Sequence, residues 1–163
     1  CGLALGLGCA VAASQRWWPV AVAAWVAASL CDLVDGPVAR AGGTASVRGA
    51  RLDTVCDRVV DAAPLVGFAV AGVAPVAALV ALALVWMPAA VGQLGDRRGV
   101  ESRGGPLGRP QRAVLVLCAL AVPSVAPWVL WALAAGTAVT VVWRLVKLSR
   151  RARQLTEPSG TSS

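Results

Sequence analysis

Histidine and tyrosine are missing from this 163-residue chain, and phenylalanine occurs once. Without histidine, imidazole acid–base catalysis and histidine ligation of a metal are excluded. Charged residues are also few, at 14% of the chain, whereas 58% of the residues are hydrophobic and a further 17 are glycine. This composition excludes intrinsic disorder and is far more apolar than that of soluble domains. The sequence therefore predicts an integral membrane protein.

The apolar runs predict an all-α, polytopic membrane helix bundle of about six transmembrane helices, because one span takes about 20 apolar residues. The expected helices cover residues 1–13, 17–39, 49–73, 74–94, 113–125 and 128–148, with a kink at Pro88. The first run is too short to span, so we expect it to be the end of a truncated helix. We expect one transmembrane domain over 1–148 and a basic, Ser/Thr-rich, disordered cytoplasmic tail over 149–163.

Positive charge is in excess, with 15 Lys and Arg against 8 Asp and Glu and a net charge of +7. The basic residues cluster around 40–58, 97–112 and 144–153, whereas the connections expected on the opposite side of the membrane carry only Arg16. Such clusters are typical of cytoplasmic segments that face anionic lipid headgroups. The charge therefore indicates membrane lipids rather than nucleic acid as its partner, in a multi-pass protein of the cell membrane.

Five of the six aspartates fall within thirty residues of the chain, at positions 32, 35, 53, 57 and 61. A carboxylate within a transmembrane helix costs about 2.5–3.5 kcal/mol on insertion scales, so such residues usually face a polar cavity. Asp32 and Asp35 are spaced to share one helix face, and so are Asp53 and Asp57. A short reversal between the two helices would bring both pairs together on the cytoplasmic side.

Four carboxylates in one pocket require cations to neutralise them. Hard divalent ions with oxygen ligands, Mg²⁺ or Mn²⁺, fit this need, and a pair of such ions serves in-line displacement at phosphorus. Gly36 removes a side chain where a ligand could approach the backbone, and Arg40 is suited to clamp phosphate oxygens. Asp61 lies outside the two pairs, and we expect it to form an ion pair or support the site rather than bind metal. In the alternative interpretation, the aspartates only pair with nearby arginines at the helix ends.

The aspartates belong to a longer pattern with fixed spacing. In order, it is Asp32-x2-Asp35-Gly36-x2-Ala39-Arg40-x8-Gly49-x3-Asp53-x3-Asp57. This run resembles, at each defined position, the signature of the CDP-alcohol phosphatidyltransferase family. Members of that family transfer a phosphatidyl-type group from a CDP-linked donor to an acceptor hydroxyl and release CMP.

The resemblance implies a role for each residue of the pattern. Asp32 and Asp53 would touch both of two metal ions, Asp35 would complete the shell of the first ion, and Asp57 that of the second. Asp57 would also be the catalytic general base on the acceptor hydroxyl. The donor, most simply CDP-diacylglycerol, would be bound by residues of the same run, namely Gly36, Arg40, Ser46 and Gly49.

A second constellation, Arg109-Pro110-Gln111-Arg112, resembles an Arg-Pro-Glu-Arg segment of family members whose acceptor is phosphorylated, with Gln111 in place of the glutamate. It implies that Arg109 and Arg112 bind the phosphate of a small alcohol such as inositol phosphate or glycerol 3-phosphate. In the alternative interpretation, these arginines only orient the protein in the membrane.

Two other functions stay open at this point. The same chemistry with an unphosphorylated acceptor would leave the arginines without a substrate role. An ion-coupled transporter would also keep intramembrane aspartates, although it would favour inverted repeats, and all the patterned carboxylates here lie in one half of the chain. The oligomeric state, including a homodimer, is likewise open.

Overall fold

The computed structural model describes the backbone of residues 2–41, 47–97 and 107–156. Within these ranges, the side chains of 32, 35–41, 47–54, 96–97, 109 and 152–156 lie outside the description. All secondary structure in the described ranges is helical. The helices are α1 Gly2–Ser14, α2 Trp18–Ala41, α3 Val47–Val70, α4 Pro75–Val85, α5 Met87–Arg97, α6 Arg109–Ala121 and α7 Ala126–Thr156.

The first three helices begin and end within three residues of the predicted bounds, and the fourth is interrupted as Pro88 predicts. Trp86 separates α4 from α5, and Pro88 is the second residue of α5. A proline has no N–H and its ring clashes with the carbonyl four residues earlier, so it disfavours an uninterrupted helix at this position. The predicted kink is confirmed.

Three predicted boundaries were wrong. The fifth helix ends at Ala121 instead of about residue 125, because Pro123 has no N–H with which to continue it. The fifth helix begins at Arg109 instead of residue 113, because Pro110 is well tolerated in the first turn of a helix and does not delay its start. The last helix continues through Thr156, so residues 149–156 are helical instead of disordered. That stretch contains no proline or glycine before Pro158 and is rich in arginine and other good helix formers.

Helix α1 contacts both α2 and α3, and glycines allow a close approach to α3. A Cβ atom on Gly67 would lie 2.6 Å from the Cβ of Ala13 and 2.9 Å from the carbonyl oxygen of Ala10. A Cβ on Gly6 would lie 2.9 Å from a methyl group of Val60. Small residues that let backbones meet are typical of helix packing in membranes, where van der Waals contact holds helices together.

The core is formed by α1, α2, α3, α4, α6 and α7, and its largest fully buried apolar side chains are Leu65, Phe68, Leu120 and Leu130. The ring of Phe68 stacks on that of Trp18, with 5.6 Å between centroids. Alanines of α4 fill the space between these larger side chains. The core is therefore continuous from α2 to α7.

The outer surface is strongly apolar. Large hydrophobic side chains are exposed along every helix, up to 79% for Trp128. Two segments, Pro75–Gly95 and Ala126–Arg151, are long and apolar enough to cross a membrane, and α1, the first part of α2 and α6 are shorter apolar helices. Extended exposed apolar surface marks contact with a membrane or a partner. Here it agrees with the membrane location that the composition predicts.

The close contact between α1 and α3 generates a stability prediction. Gly67→Ala should lower the unfolding temperature in detergent, because the new methyl group meets backbone that cannot yield without moving a helix, and such overpacking costs about 1–3 kcal/mol. Gly8→Ala is the matched control, since nothing lies within 4 Å of a Cβ there. Equal unfolding temperatures for the two variants would contradict the proposed packing constraint.

Candidate active site between helices α2, α3 and α6

The two aspartate pairs lie at adjoining helix ends. Asp32 and Asp35 are in the last turns of α2, Asp53 and Asp57 are in the first half of α3, and the two helices contact each other. The side chain of Asp57 is half-buried. Since α2 ends at residue 41 and α3 begins at residue 47, the joining chain spans at most about 20 Å. The ends of α2 and α3 that carry the two pairs are therefore near each other, and the connecting residues 42–46, where the sequence predicts a short reversal, lie outside the described residues.

The remaining residues of the pattern are located only by their backbone. Asp32, Asp35, Gly36, Arg40, Gly49 and Asp53 are helical, but their side chains lie outside the described residues. Ser46 lies outside the description entirely. The predicted donor contacts of this set consequently stay predictions.

The chemistry of the donor set fits divalent metal ions. Four carboxylates on two adjoining helix ends supply the hard oxygen ligands that Mg²⁺ and Mn²⁺ prefer. Among the side chains that the structure describes, no three carboxylate or thiol groups lie together, and Asp57 is the one predicted ligand in that set. The ligand assignment accordingly rests on the sequence pattern and on the meeting of α2 and α3.

Asp61 lies one turn beyond Asp57 and is engaged differently. Its carboxylate is 3.9 Å from Nη1 of Arg58, three residues earlier on the same helix, and both side chains are largely buried. The ion pair that the sequence analysis expected of Asp61 is confirmed. At this depth, a carboxylate is best tolerated beside a cation.

A cavity of about 320 Å³ lies between α2, α3 and α6, and its lining includes residues close in sequence to both constellations but none of the predicted metal or phosphate ligands. Leu33 follows Asp32 directly, Val60 lies one turn beyond Asp57, and Pro110 follows Arg109 directly; all three line this cavity. The complete lining is Trp25, Ala28, Ser29, Leu30, Leu33, Val60, Asp61, Pro110 and Ala113. Most of the lining is apolar, with Asp61 and Ser29 as its polar side chains. The fold thus brings two segments that are far apart in sequence to one cavity.

The first turn of α6 is bonded to its neighbours. Arg112 is 9% exposed, and its Nη1 donates a hydrogen bond of 3.2 Å to the carbonyl oxygen of Val85 on α4. The indole N–H of Trp25 donates to the carbonyl oxygen of Ala113 at 3.4 Å. The side chain of Arg109 is not among those described. Of the two predicted phosphate ligands, Arg112 is thus the one whose guanidinium also joins two helices.

Trp25 is a site residue that sequence reasoning missed. It is buried, lines the 320 Å³ cavity and also lines a second cavity of about 10 Å³ shared with Asp61 and Arg112. Ser29, one turn later, donates to the carbonyl oxygen of Trp25 at 2.9 Å. A signal was present, because Trp25 lies in the middle of an apolar run rather than at its end, where interfacial tryptophans occur.

The contact that Arg144 on α7 makes inside the bundle was not predicted either, because the sequence analysis assigned this residue to the positive cluster at the end of the chain. Its guanidinium donates to the carbonyl oxygen of Pro88 at the start of α5. The guanidinium of Arg144 therefore joins α7 to α5.

Comparison with known proteins identifies the family to which this chain belongs. The sequence profile of the CDP-alcohol phosphatidyltransferase family matches residues 2–143. The chain belongs to this family. The family and the enzyme class predicted from the spaced aspartates are confirmed, and an ion-coupled transporter is not supported.

Among curated relatives, the chain is similar to the phosphatidylinositol phosphate synthase of Corynebacterium glutamicum, with 36% identity over 148 residues that cover 81% of this chain and 68% of the relative. It is 32% identical to the synthase of the same name from Mycolicibacterium smegmatis, over 80% of this chain and 65% of that protein. It is 33% identical to the archaetidylinositol phosphate synthase of Aeropyrum pernix, over 89% of this chain and 79% of the relative.

Solved structures share the fold. The phosphatidylinositol phosphate synthase of Mycobacterium tuberculosis with CDP-DAG bound aligns at a TM-score of 0.83 and 22% identity, over 99% of this chain and 86% of that one. The same enzyme in complex with manganese and citrate aligns at a TM-score of 0.82, over 99% of this chain and 82% of that one. The all-helical membrane fold predicted from the sequence is therefore that of a known enzyme group.

Proposed function

We propose that this protein transfers the phosphatidyl group of CDP-diacylglycerol to the hydroxyl of a phosphorylated polar alcohol, with inositol phosphate as the first candidate, and releases CMP. The observation that carries the proposal is the single cavity lined by residues next to Asp32, Asp57 and Arg109. A transferase must bring donor and acceptor to one point, and this cavity adjoins both groups of predicted ligands. The names of the relatives support inositol phosphate as the acceptor.

The donor's lipid portion suits the apolar part of the cavity. Ala28 and Leu30 present hydrocarbon just before the aspartate pair of α2, and Leu33 does so between its two members. The cavity volume of about 320 Å³ is at the lower end of ligand sites, so we expect it to take the part of the lipid nearest the headgroup. The CDP portion would then lie toward Gly36, Arg40, Ser46 and Gly49, as the family resemblance implies.

Two divalent ions, Mg²⁺ or Mn²⁺, would be held by Asp32, Asp35, Asp53 and Asp57. Such ions supply charge neutralisation to a diphosphate and to the leaving nucleotide. Asp57 has the separate task of accepting the proton of the acceptor hydroxyl, and it is half-buried close to the cavity. Asp61 is not given this task, because Arg58 already pairs with it.

The acceptor's phosphate would be bound by Arg109 and Arg112 at the start of α6. A guanidinium offers five N–H donors in a planar fork, a geometry that matches the oxygens of a phosphate. The first backbone N–H groups of a helix also favour an anion. No side chain caps this end, since Gly108 precedes it. Both features suit a dianionic phosphate.

The proposed topology has six spans, with α4 and α5 forming one span and the active site on the cytoplasmic side. Arg16, in the α1–α2 connection, donates to the carbonyl oxygen of Ala71 in the α3–α4 connection at 2.8 Å. These two connections therefore lie at one end of the bundle. The arginine-rich connections belong to the opposite end, which the positive-inside rule assigns to the cytoplasm. A homodimer stays a prediction.

The activity is tested with the chain in vesicles, CDP-diacylglycerol, Mn²⁺ and four acceptors: inositol phosphate, glycerol 3-phosphate, inositol and glycerol. We expect CMP release to be fastest with inositol phosphate, to stop with a chelator and to return with Mn²⁺ or Mg²⁺. Asp57→Asn should lower kcat by about 100-fold or more, because a general base acts mainly in the transition state. Asp96→Asn, outside the patterned run, is the matched control. Turnover in metal-free buffer, or equal rates with free inositol, would contradict the proposal.

The acceptor assignment is tested on Arg109. Arg109→Ala should raise the acceptor KM about tenfold or more, since a hydrogen bond to a charged group contributes about 1.5–3 kcal/mol. The CDP-diacylglycerol KM should stay nearly constant. Arg150→Ala removes the same charge from an exposed position of α7 and serves as the control. If Arg109→Ala leaves the acceptor KM unchanged, Arg109 does not bind the acceptor and only orients the protein. If Arg112→Ala also leaves it unchanged, the acceptor has to be sought among unphosphorylated alcohols.

A further inference from the structure

Thr140 on α7 makes a contact that none of the proposed roles uses. It is 1% exposed, and its hydroxyl donates to the carbonyl oxygen of Gly136 at 2.8 Å. The same Oγ1 accepts a hydrogen bond of 3.1 Å from the backbone N–H of Leu107. A buried side chain of the last helix therefore holds the backbone of the segment that leads into α6.

The side chain of Leu107 packs at the same place. A Cβ on Gly136 would lie only 3.0 Å from Cδ2 of Leu107, so the absence of a side chain at 136 makes room for this leucine. Leu107 is thus fixed twice, by its N–H on Thr140 and by its side chain over Gly136. Only Gly108 stands between it and Arg109, where α6 begins.

We propose that Thr140 is a positioning residue for acceptor recognition. By anchoring Leu107, it fixes where α6 starts and so where Arg109 stands relative to the aspartates. This inference rests on the proposed function, because it takes Arg109 as a ligand of the acceptor phosphate. It assigns no contact between Thr140 and substrate.

The other bonds at the start of α6 explain why this anchor matters. Arg112 and Ala113 are bonded to Val85 and Trp25, which fixes the end of the first turn. Arg109 lies before these bonds, at the frayed end of the helix, where backbone N–H groups lack helical partners. Without the bond from Leu107 to Thr140, the first turn would be held from one side only.

Thr137 provides a matched control one turn earlier on α7. It is 2% exposed, and its hydroxyl donates to the carbonyl oxygen of Leu133 at 2.7 Å, as that of Thr140 does to Gly136. The two threonines thus share helix, burial and local hydrogen bond. The described difference is the bond that Thr140 accepts from Leu107.

The test compares Thr140→Val with Thr137→Val, since valine keeps the shape and removes the hydroxyl. Thr140→Val should raise the KM for inositol phosphate about fivefold, the effect of one hydrogen bond, with little change in the KM for CDP-diacylglycerol. Thr137→Val should leave both constants near those of the wild type, and Thr140→Ser should restore the acceptor KM. Hydrogen exchange at Leu107 should accelerate in Thr140→Val only.

Leu107→Ala provides a second route if Thr140→Val folds poorly, because it keeps the N–H and loses the packing over Gly136. It should also raise the acceptor KM selectively. An active wild type with equal acceptor KM values in Thr140→Val and Thr137→Val overturns the positioning role alone. A wild type that releases no CMP with any acceptor overturns the proposed function and this inference together, whereas the hydrogen-exchange result still reports whether Thr140 anchors Leu107.

Discussion

The constraint on which the structure depends is the placement of five aspartates within thirty residues of an otherwise apolar bundle. Carboxylates at this density repel one another and are costly within a membrane, so they require cations and a polar cavity. Arg58 supplies one such cation to Asp61. For the four patterned aspartates, the proposed divalent ions supply the neutralising positive charge. In this proposal structure and chemistry are coupled, because the charges that would destabilise the fold are those proposed to bind the divalent ions.

Much of the fold could be predicted because its determinants are local. The apolar runs and Pro88 gave the helices and the kink, and the spaced aspartates gave the family. The start of α6 at Arg109 could not be located this way, since polar residues fill its first turn and the hydrophobic pattern begins only at Ala113. Nor did hydropathy indicate that α7 continues past the apolar stretch, because helix propensity rather than burial sustains its last turns.

The residues proposed for the site could be named from the sequence, whereas the packing that surrounds them could not. The spacing from Asp32 to Asp57 is visible in the sequence. The cavity requires α6 to pack against α2 and α3, and no local sequence pattern predicts that packing. Trp25 and Thr140 illustrate the difference. Each acts through a hydrogen bond to the backbone of a segment far away in sequence, and only the packed structure reveals it. The first bond holds the first turns of α6 and the second holds the segment before it, next to the residues proposed to bind the acceptor.

The most direct measurement of the central claim is the number of Mn²⁺ ions bound per chain, determined by electron paramagnetic resonance on the protein in detergent. Two ions are predicted for the wild type and for Asp61→Asn, whose carboxylate is paired with Arg58. Asp53→Asn should lose the ions, because this aspartate is proposed to touch both. A wild type without bound Mn²⁺, or an Asp61→Asn variant that loses as much Mn²⁺ as Asp53→Asn, would contradict the account.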